Sequence, residues 1–511
     1  MLRSAPREAL ARPQSAGMSE APLRMQINKL DPEVAEIPES AVQHTGRLVL
    51  PLPSIKTPQR RFKEGDNMAD ILITASGEGE PVRESAVDSA GRYQPGKAWG
   101  VAAALTAFAS INFLDKVVLG MVAVPLMRDL HLSPTEFGVV ASSFFWLFTI
   151  SAALVGFMGN RMPARWLLLG MALVWSVVQL PVIFAASATA LLVGRVLLGA
   201  GEGPAFPVSV HALYKWFPHE KRNLPVALIS QGAVIGMLVA GLMVPYITQH
   251  WGWRANFIVL GTVSLLWALG WLCWGREGTL HTVIPASAGG NAERQRRPVP
   301  YRKLLTDATV LCSCVTGFAA YWGSALTLTW LPAFLERGLG YDSVTAGRMF
   351  AVIVAVGTPA AMALSWCSQS MLKRGVSSRI ARCMFSCGCV GIGGLILLLL
   401  PSIATTPGGK VAMLALASTL PPLAFSLGPA VLGEIVPDVQ RSGMIALYTA
   451  VSTCAGAIAP IVMGRVLQTH GGSSLNSFEF GFMVCGAVMV AGAVIGMLGQ
   501  DPARSLRKLR D

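Results

Sequence analysis

The chain has 511 residues, 53% of them hydrophobic and only 14% charged, with a net charge of +13 and a mean hydropathy of +0.53. Soluble globular chains carry roughly 25% charged residues, so a soluble protein is excluded and a lipid-embedded one is expected. A basic balance of this size would suit nucleic acid only if it were clustered on one face of a soluble domain. No such domain is visible, and no nucleic-acid partner is expected.

Residues 1–95 are rich in Pro, Glu, Arg and Ser and lack an apolar run that would serve as a signal-peptide core. Their composition is that of a disordered extension. The run KEGDNM, ending at Met68, can be encoded by codons that spell a bacterial ribosome-binding site just upstream of an ATG. Our hypothesis is that translation starts at Met68 and that residues 1–67 are not made. A peptide from residues 1–60 in the protein isolated from its own host would overturn it.

Beyond residue 95 the chain alternates polar gaps with apolar blocks long enough for the roughly 20 residues that cross a bilayer. The predicted spans are 98–124, 134–158, 165–185, 188–213, 223–246 and 252–274, then 306–333, 344–367, 379–400, 408–431, 438–466 and 477–499. The expected fold is an all-α membrane protein of twelve transmembrane helices in two six-helix bundles, 96–275 and 304–500. A central loop at 276–303 joins them and a tail at 501–511 follows. Lys and Arg concentrate in 159–165, 215–222, 276–303, 373–382 and 504–510, all on the side of both ends. The opposite side holds only Arg128, Arg254, Arg337, Arg348, Lys410 and Arg465. Cationic loops stay cytoplasmic, so both termini and the central loop are expected in the cytoplasm, and the protein in a bacterial inner membrane.

Two spans carry charges where charge is costly. The fourth reads GRVLLGAGEGPAFP over 194–207, with Arg195 and Glu202; the first reads ASINFLDKVVLG, with Asn112, Asp115 and Lys116. Each ionised side chain costs at least about 2.5 kcal/mol at the bilayer centre, so such groups line an interior pathway or pair with one another. At helical spacing Arg195, Gly199, Glu202, Phe206 and Ser209 fall on one stripe, and Gly199 and Gly203 form a small-xxx-small step for close helix approach. An inert Arg195–Glu202 pair holding helices in register is the competing reading, and buried pairs are weak stabilising devices. The cysteines lie mostly inside spans. Cys383 and Cys387, four apart, have no His or carboxylate beside them and read as small hydrophobes, so no metal or cofactor is expected.

These motifs resemble those of the anion:cation symporter family within the major facilitator superfamily, over residues 98–500. The resemblance rests on Arg195, Glu202, Gly203, Phe206 and Pro207, then Trp216, Phe217, Pro218, Glu220 and Arg222, then GWRANF at 252–257. The first span resembles the family's N-[YF]-x-D-R, with Lys116 in place of arginine, and LTWLPAFL at 328–335 resembles its LTWFPTYL. Departures are Asn160 for an acid in GFMGNRMPAR, which puts the gating salt bridge of that loop in doubt; Phe148, Ala152 and Leu154 for tyrosine, glutamine and proline; and Thr449 and Thr453 for asparagines.

The resemblance implies alternating access about a site between two bundles and a proton-coupled symporter that imports a small organic anion, as a monomer. Lys116 and Arg195 are the anion binders, arginine as a planar fork and lysine as a point charge. Phe148, Tyr321, Trp322 and Thr449 complete the substrate-binding set, with Trp330 a further aromatic that packing also explains. Glu202 is the first candidate for proton coupling. Asp115 is the second, or else it holds Lys116 in place. The lost polar partners favour an aromatic acid or small dicarboxylate over a sugar acid. An efflux pump of the same fold and a non-transporting membrane sensor are the alternatives. The first lacks the Gly-Pro of drug exporters in the fifth span, and the second rests on the N-terminal extension alone. No catalytic motif of an enzyme is present in the loops.

Overall fold

The computed structural model describes residues 93–158, 162–184, 187–218, 221–278, 280, 298–472 and 474–510. The N-terminal extension, the Met68 start, Asn160, Glu220 and most of the central loop lie outside the described residues. Within these bounds the chain is helical, and eleven helices are long and apolar enough to cross a membrane.

In the N-terminal half the spans are Pro95–Met121, Pro134–Met158, Ala164–Ile183, Asn223–Trp251 and Trp253–Trp274, with a broken fourth span between the third and the fifth. In the C-terminal half they are Ala308–Thr329, Ser343–Lys373, Arg379–Leu398, Pro407–Ile435, Asp438–Thr469 and Leu475–Gly499. Caps fix several starts. Asp307 accepts from the N–H groups of Thr309 and Val310, and Asp342 from those of Val344 and Thr345, satisfying donors that a helix start leaves free. Gly252, at φ 82°, ends the fifth span in a conformation open to glycine.

The fourth span corrects the expectation of one continuous helix. It is two pieces, Ala188–Glu202 and Ala205–Tyr214, parted at Gly203–Pro204. Pro204 has no N–H to give to the helix ladder, and its ring crowds the preceding turn, so the span kinks directly after Glu202. The predicted stripe is interrupted there: Phe206 is turned outward, 51% exposed, while Arg195, Gly199 and Glu202 before the break and Ser209 after it are buried. The tenth span also breaks, at Pro421–Pro422, into Pro407–Thr419 and Leu423–Ile435. The tail contains a helix, Pro502–Arg510, seated by a Ser505 hydroxyl that donates to Asp307 at 2.8 Å.

An even number of crossings puts Pro95 and Gly499 at the same end of the molecule. At the other, remote end the two halves share one core, in which Val117, Met121, Phe137 and Val244 of the first half meet Leu326, Trp330, Phe350 and Ala459 of the second. Glycines let the backbones touch there: a Cβ on Gly347 would overlap the carbonyl of Gly241, and one on Gly138 the carbonyl of Pro460. Toward the terminal end the cores separate. One is built on Phe108, Trp175, Phe217 and Trp271, the other on Val310, Ile435, Tyr448 and Leu509. The halves are therefore clamped at the remote end and part toward the end that carries the termini.

Candidate functional site

The first span places Asn112, Asp115 and Lys116 within a single turn, so Asn112 and Lys116 (i, i+4) share a face and Asp115 looks elsewhere. The fourth span supplies Arg195 and Glu202 and lies hard against the second. A Cβ on Gly199 would overlap the carbonyl of Phe144, and one on Gly203 the carbonyl of Phe148. This close approach brings Arg195 and Glu202 to the first span in the interior of the N-terminal half. Asn112, Asp115, Lys116, Arg195 and Glu202 are all buried.

The pairing differs from both sequence expectations. Arg195 and Glu202 do not form the ion pair. Lys116 Nζ lies 3.6 Å from Glu202 Oε2, and Asn112 stands between them. Asn112 Oδ1 accepts from Lys116 Nζ at 2.5 Å, while its Nδ2 donates to Glu202 Oε2 at 2.9 Å. Nor does Asp115 hold Lys116: its Oδ1 accepts from Gln179 Nε2 of the third span at 2.7 Å, and its main-chain carbonyl accepts from Arg195 Nη1 at 3.2 Å. Neighbours on a helix point about 100° apart, so Asp115 and Lys116 address different partners. Aromatic faces complete the shell. The Lys116 ammonium is 4.4 Å from the Phe113 ring centre and 5.0 Å from that of Phe148, and the Arg195 guanidinium is 5.0 Å from that of Phe144. Such contacts retain part of the attraction that water would supply to a cation.

Three buried atoms in this cluster have no hydrogen-bond partner: Asp115 Oδ2, Arg195 Nε and Glu202 Oε1. An unmet buried polar atom costs about 1–3 kcal/mol, so these three atoms leave the cluster with unused hydrogen-bonding capacity.

The other predicted residues divide. Tyr321 packs against both the shared core and the N-terminal one, with its ring 5.8 Å from Phe145 and 5.7 Å from Phe425. Trp322 belongs to the shared core and packs 5.8 Å from Phe318. Trp330 is fully buried and donates to the Pro460 carbonyl at 3.1 Å, a packing residue of the closed end. Thr449 is exposed, with its hydroxyl turned back to the Ile445 carbonyl, while Thr453 meets Thr149 of the second span at 2.8 Å. Sequence reasoning gave no role to Gln179, Thr149 or the bridging amide of Asn112. The signal available for Gln179 was a lone amide in an apolar span, the residue type that seeks a partner across helices. Cys383 and Cys387 are buried, with Cys387 Sγ 3.7 Å from the Thr316 hydroxyl.

Two helical halves are clamped at one end, and the first encloses a buried, partly unsatisfied charge cluster. The chain belongs to the Major Facilitator Superfamily, whose family model matches residues 105–422. It is 27% identical to a hexuronate transporter of Bacillus subtilis over 74% of this chain and 89% of that one. It is also 27% identical to a probable sulfoacetate transporter of Cupriavidus necator, over 76% and 90%. Among solved structures it is similar to a bacterial homolog of the human lysosomal transporter Spinster, with a TM-score of 0.68 at 18% identity, over 82% of this chain and 99% of that one.

Proposed function

We propose that the protein is a proton-coupled symporter that imports a small organic carboxylate by alternating access, in a bacterial inner membrane with both termini cytoplasmic. The observation that carries this reading is the buried quartet of Asp115, Lys116, Arg195 and Glu202. Its two cations and two carboxylates balance, yet it leaves a guanidinium N–H and two carboxyl oxygens unmet. An entering monoanion adds one negative charge to a desolvated site, and one proton taken up by Glu202 or Asp115 restores the balance. Arg195 and Lys116 supply the attraction for the substrate. Phe148, Tyr321, Trp322 and Thr449 are its proposed flanking contacts. The names of the hexuronate and sulfoacetate relatives support an organic anion as the substrate class.

Within that class the site favours an aromatic acid or small dicarboxylate over a sugar acid. Aromatic rings crowd its walls, with Phe144, Phe145 and Phe148 in mutual contact and Tyr321 against Phe145. The hydroxyls of Thr449 and Thr453 are already engaged within the protein. Each substrate hydroxyl left without a partner would cost about 1–3 kcal/mol.

The test is uptake of labelled benzoate, phthalate, succinate and glucuronate into proteoliposomes, with and without an imposed pH gradient. Accumulation of at least one acid driven by the gradient is expected. Uptake indifferent to the gradient overturns proton coupling. Inhibition by glucuronate at lower concentrations than by benzoate or phthalate overturns the substrate preference.

A further inference from the structure

We propose that Asn112 is a positioning residue that keeps Lys116 and Glu202 bridged but apart, so that a substrate carboxylate can take the place of Glu202 at the lysine. This inference rests on the organic-anion symport reading above. One amide spans the pair, accepting from Lys116 Nζ at 2.5 Å and donating to Glu202 Oε2 at 2.9 Å. The ammonium and carboxylate consequently stand 3.6 Å apart, where a direct charge-assisted bond closes to about 2.7–2.9 Å. All three side chains are buried, so water does not dilute the effect.

The bridge leaves both charged groups with spare capacity. An ammonium has three N–H donors; Asn112 takes one, and the others remain for an incoming carboxylate. Glu202 uses Oε2 toward Asn112 while its Oε1 is buried and unpartnered. When the substrate carboxylate reaches Lys116, a proton from the open side adds to Glu202 Oε1. The site then gains one negative and one positive charge, no covalent bond in the substrate changes, and Asn112 Nδ2 still donates to Oε2. The other charged groups of the cluster do not substitute for the amide: Asp115 is held by Gln179, and Arg195 donates to the Asp115 main chain. Without Asn112, the flexible lysine stem needs a shift of under about 1 Å to close on Glu202 directly. The substrate would then have to break a direct charged bond to bind.

The test measures counterflow in proteoliposomes, using whichever of benzoate, phthalate, succinate and glucuronate the wild type carries best. Asn112→Ala is expected to raise KM about tenfold with little change in maximal rate. Asn112→Asp places a permanent carboxylate on Lys116 and is expected to abolish counterflow. Asn112→Asp combined with Glu202→Gln restores the charge count and is expected to recover at least a tenth of it. A wild-type KM in Asn112→Ala overturns the proposal. So does a fall in maximal rate alone, or a double variant as inactive as Asn112→Asp. A wild type that carries none of the four acids overturns organic-anion transport itself, which is a separate result from a working wild type with indifferent Asn112 variants.

Discussion

The hydroxyls of Thr149 and Thr453 meet at 2.8 Å across the junction between the two halves. Thr149 sits on the second span beside Phe148, and Thr453 on the eleventh, in the stretch where the shared core gives way to separate ones. In the alternating-access reading proposed above, rocking the halves apart at the remote end would break this bond. A net hydrogen bond is worth about 0.5–1.5 kcal/mol. Thr453→Val is therefore expected to shift the conformational equilibrium roughly two- to tenfold toward opening at the remote end. Maleimide labelling of a cysteine introduced at Leu328, in a background without the exposed native cysteines, reads that shift; unchanged labelling would count against a latch.

The cations are expected to respond unequally to exchange. Arg195→Lys keeps the charge but removes the fork, and with it the N–H groups now facing Asp115 and the unfilled position. A loss of about tenfold or more in kcat/KM is expected, equivalent to roughly 1.4 kcal/mol. Lys116→Arg keeps a donor for Asn112 and should be the milder change. Equal activity of Arg195→Lys and wild type would assign Arg195 to packing.

Glu202→Gln imitates the protonated carboxyl while preserving an oxygen for Asn112. Gradient-driven accumulation should disappear, whereas exchange of substrate for substrate should persist at a reduced rate, since binding and coupling are separate free energies. Accumulation by Glu202→Gln would move the proton site to Asp115.

Two glycine substitutions should separate folding from rocking. Gly199 faces the Phe144 carbonyl inside the N-terminal half, so Gly199→Ala is expected to destabilise the fold by about 1–3 kcal/mol through overpacking. Gly347 faces Gly241 of the opposite half at the clamp. Gly347→Ala is expected to leave the melting temperature nearly unchanged while raising labelling at the Leu328 cysteine position. A large drop in melting temperature for both would show that the clamp is part of one rigid core.

Outside the spans, Glu277 offers a pH test. Burial pushes its carboxyl up, but the Lys215 ammonium and the N–H groups of Arg165 and Ala164 outweigh this and hold it below the usual carboxylate range. A depressed native pKa contributes stability above the unfolded value of about 4.3, and the contribution is lost as pH falls through the native value. The pair is about a third exposed, so the effect is modest, roughly a degree or two in Tm. Glu277→Gln should lower Tm at pH 7 by more than it does at acidic pH, the difference shrinking as pH falls through the native value; an equal drop at every pH would assign the loss to packing.

The sequence by itself determined the all-helical membrane class and the approximate placement of the spans, because bilayer crossing demands runs of apolar residues that composition displays directly. It also singled out Asp115, Lys116, Arg195 and Glu202, since charge at membrane depth is conspicuous in any linear reading. Which charge pairs with which was decided only by tertiary structure. Helical spacing put Arg195 and Glu202 on one stripe, but the approach of the fourth span to the first brings Glu202 to Asn112 and Lys116. The kink at Pro204 turns Phe206 out of the stripe, while Ser209 beyond it stays buried. Gln179, Thr149 and Thr453 were beyond the sequence for the same reason: a lone polar side chain in an apolar helix gains its meaning from the neighbour it faces. The end at which the halves clamp is likewise a tertiary fact, set by where backbones such as those of Gly241 and Gly347 can touch.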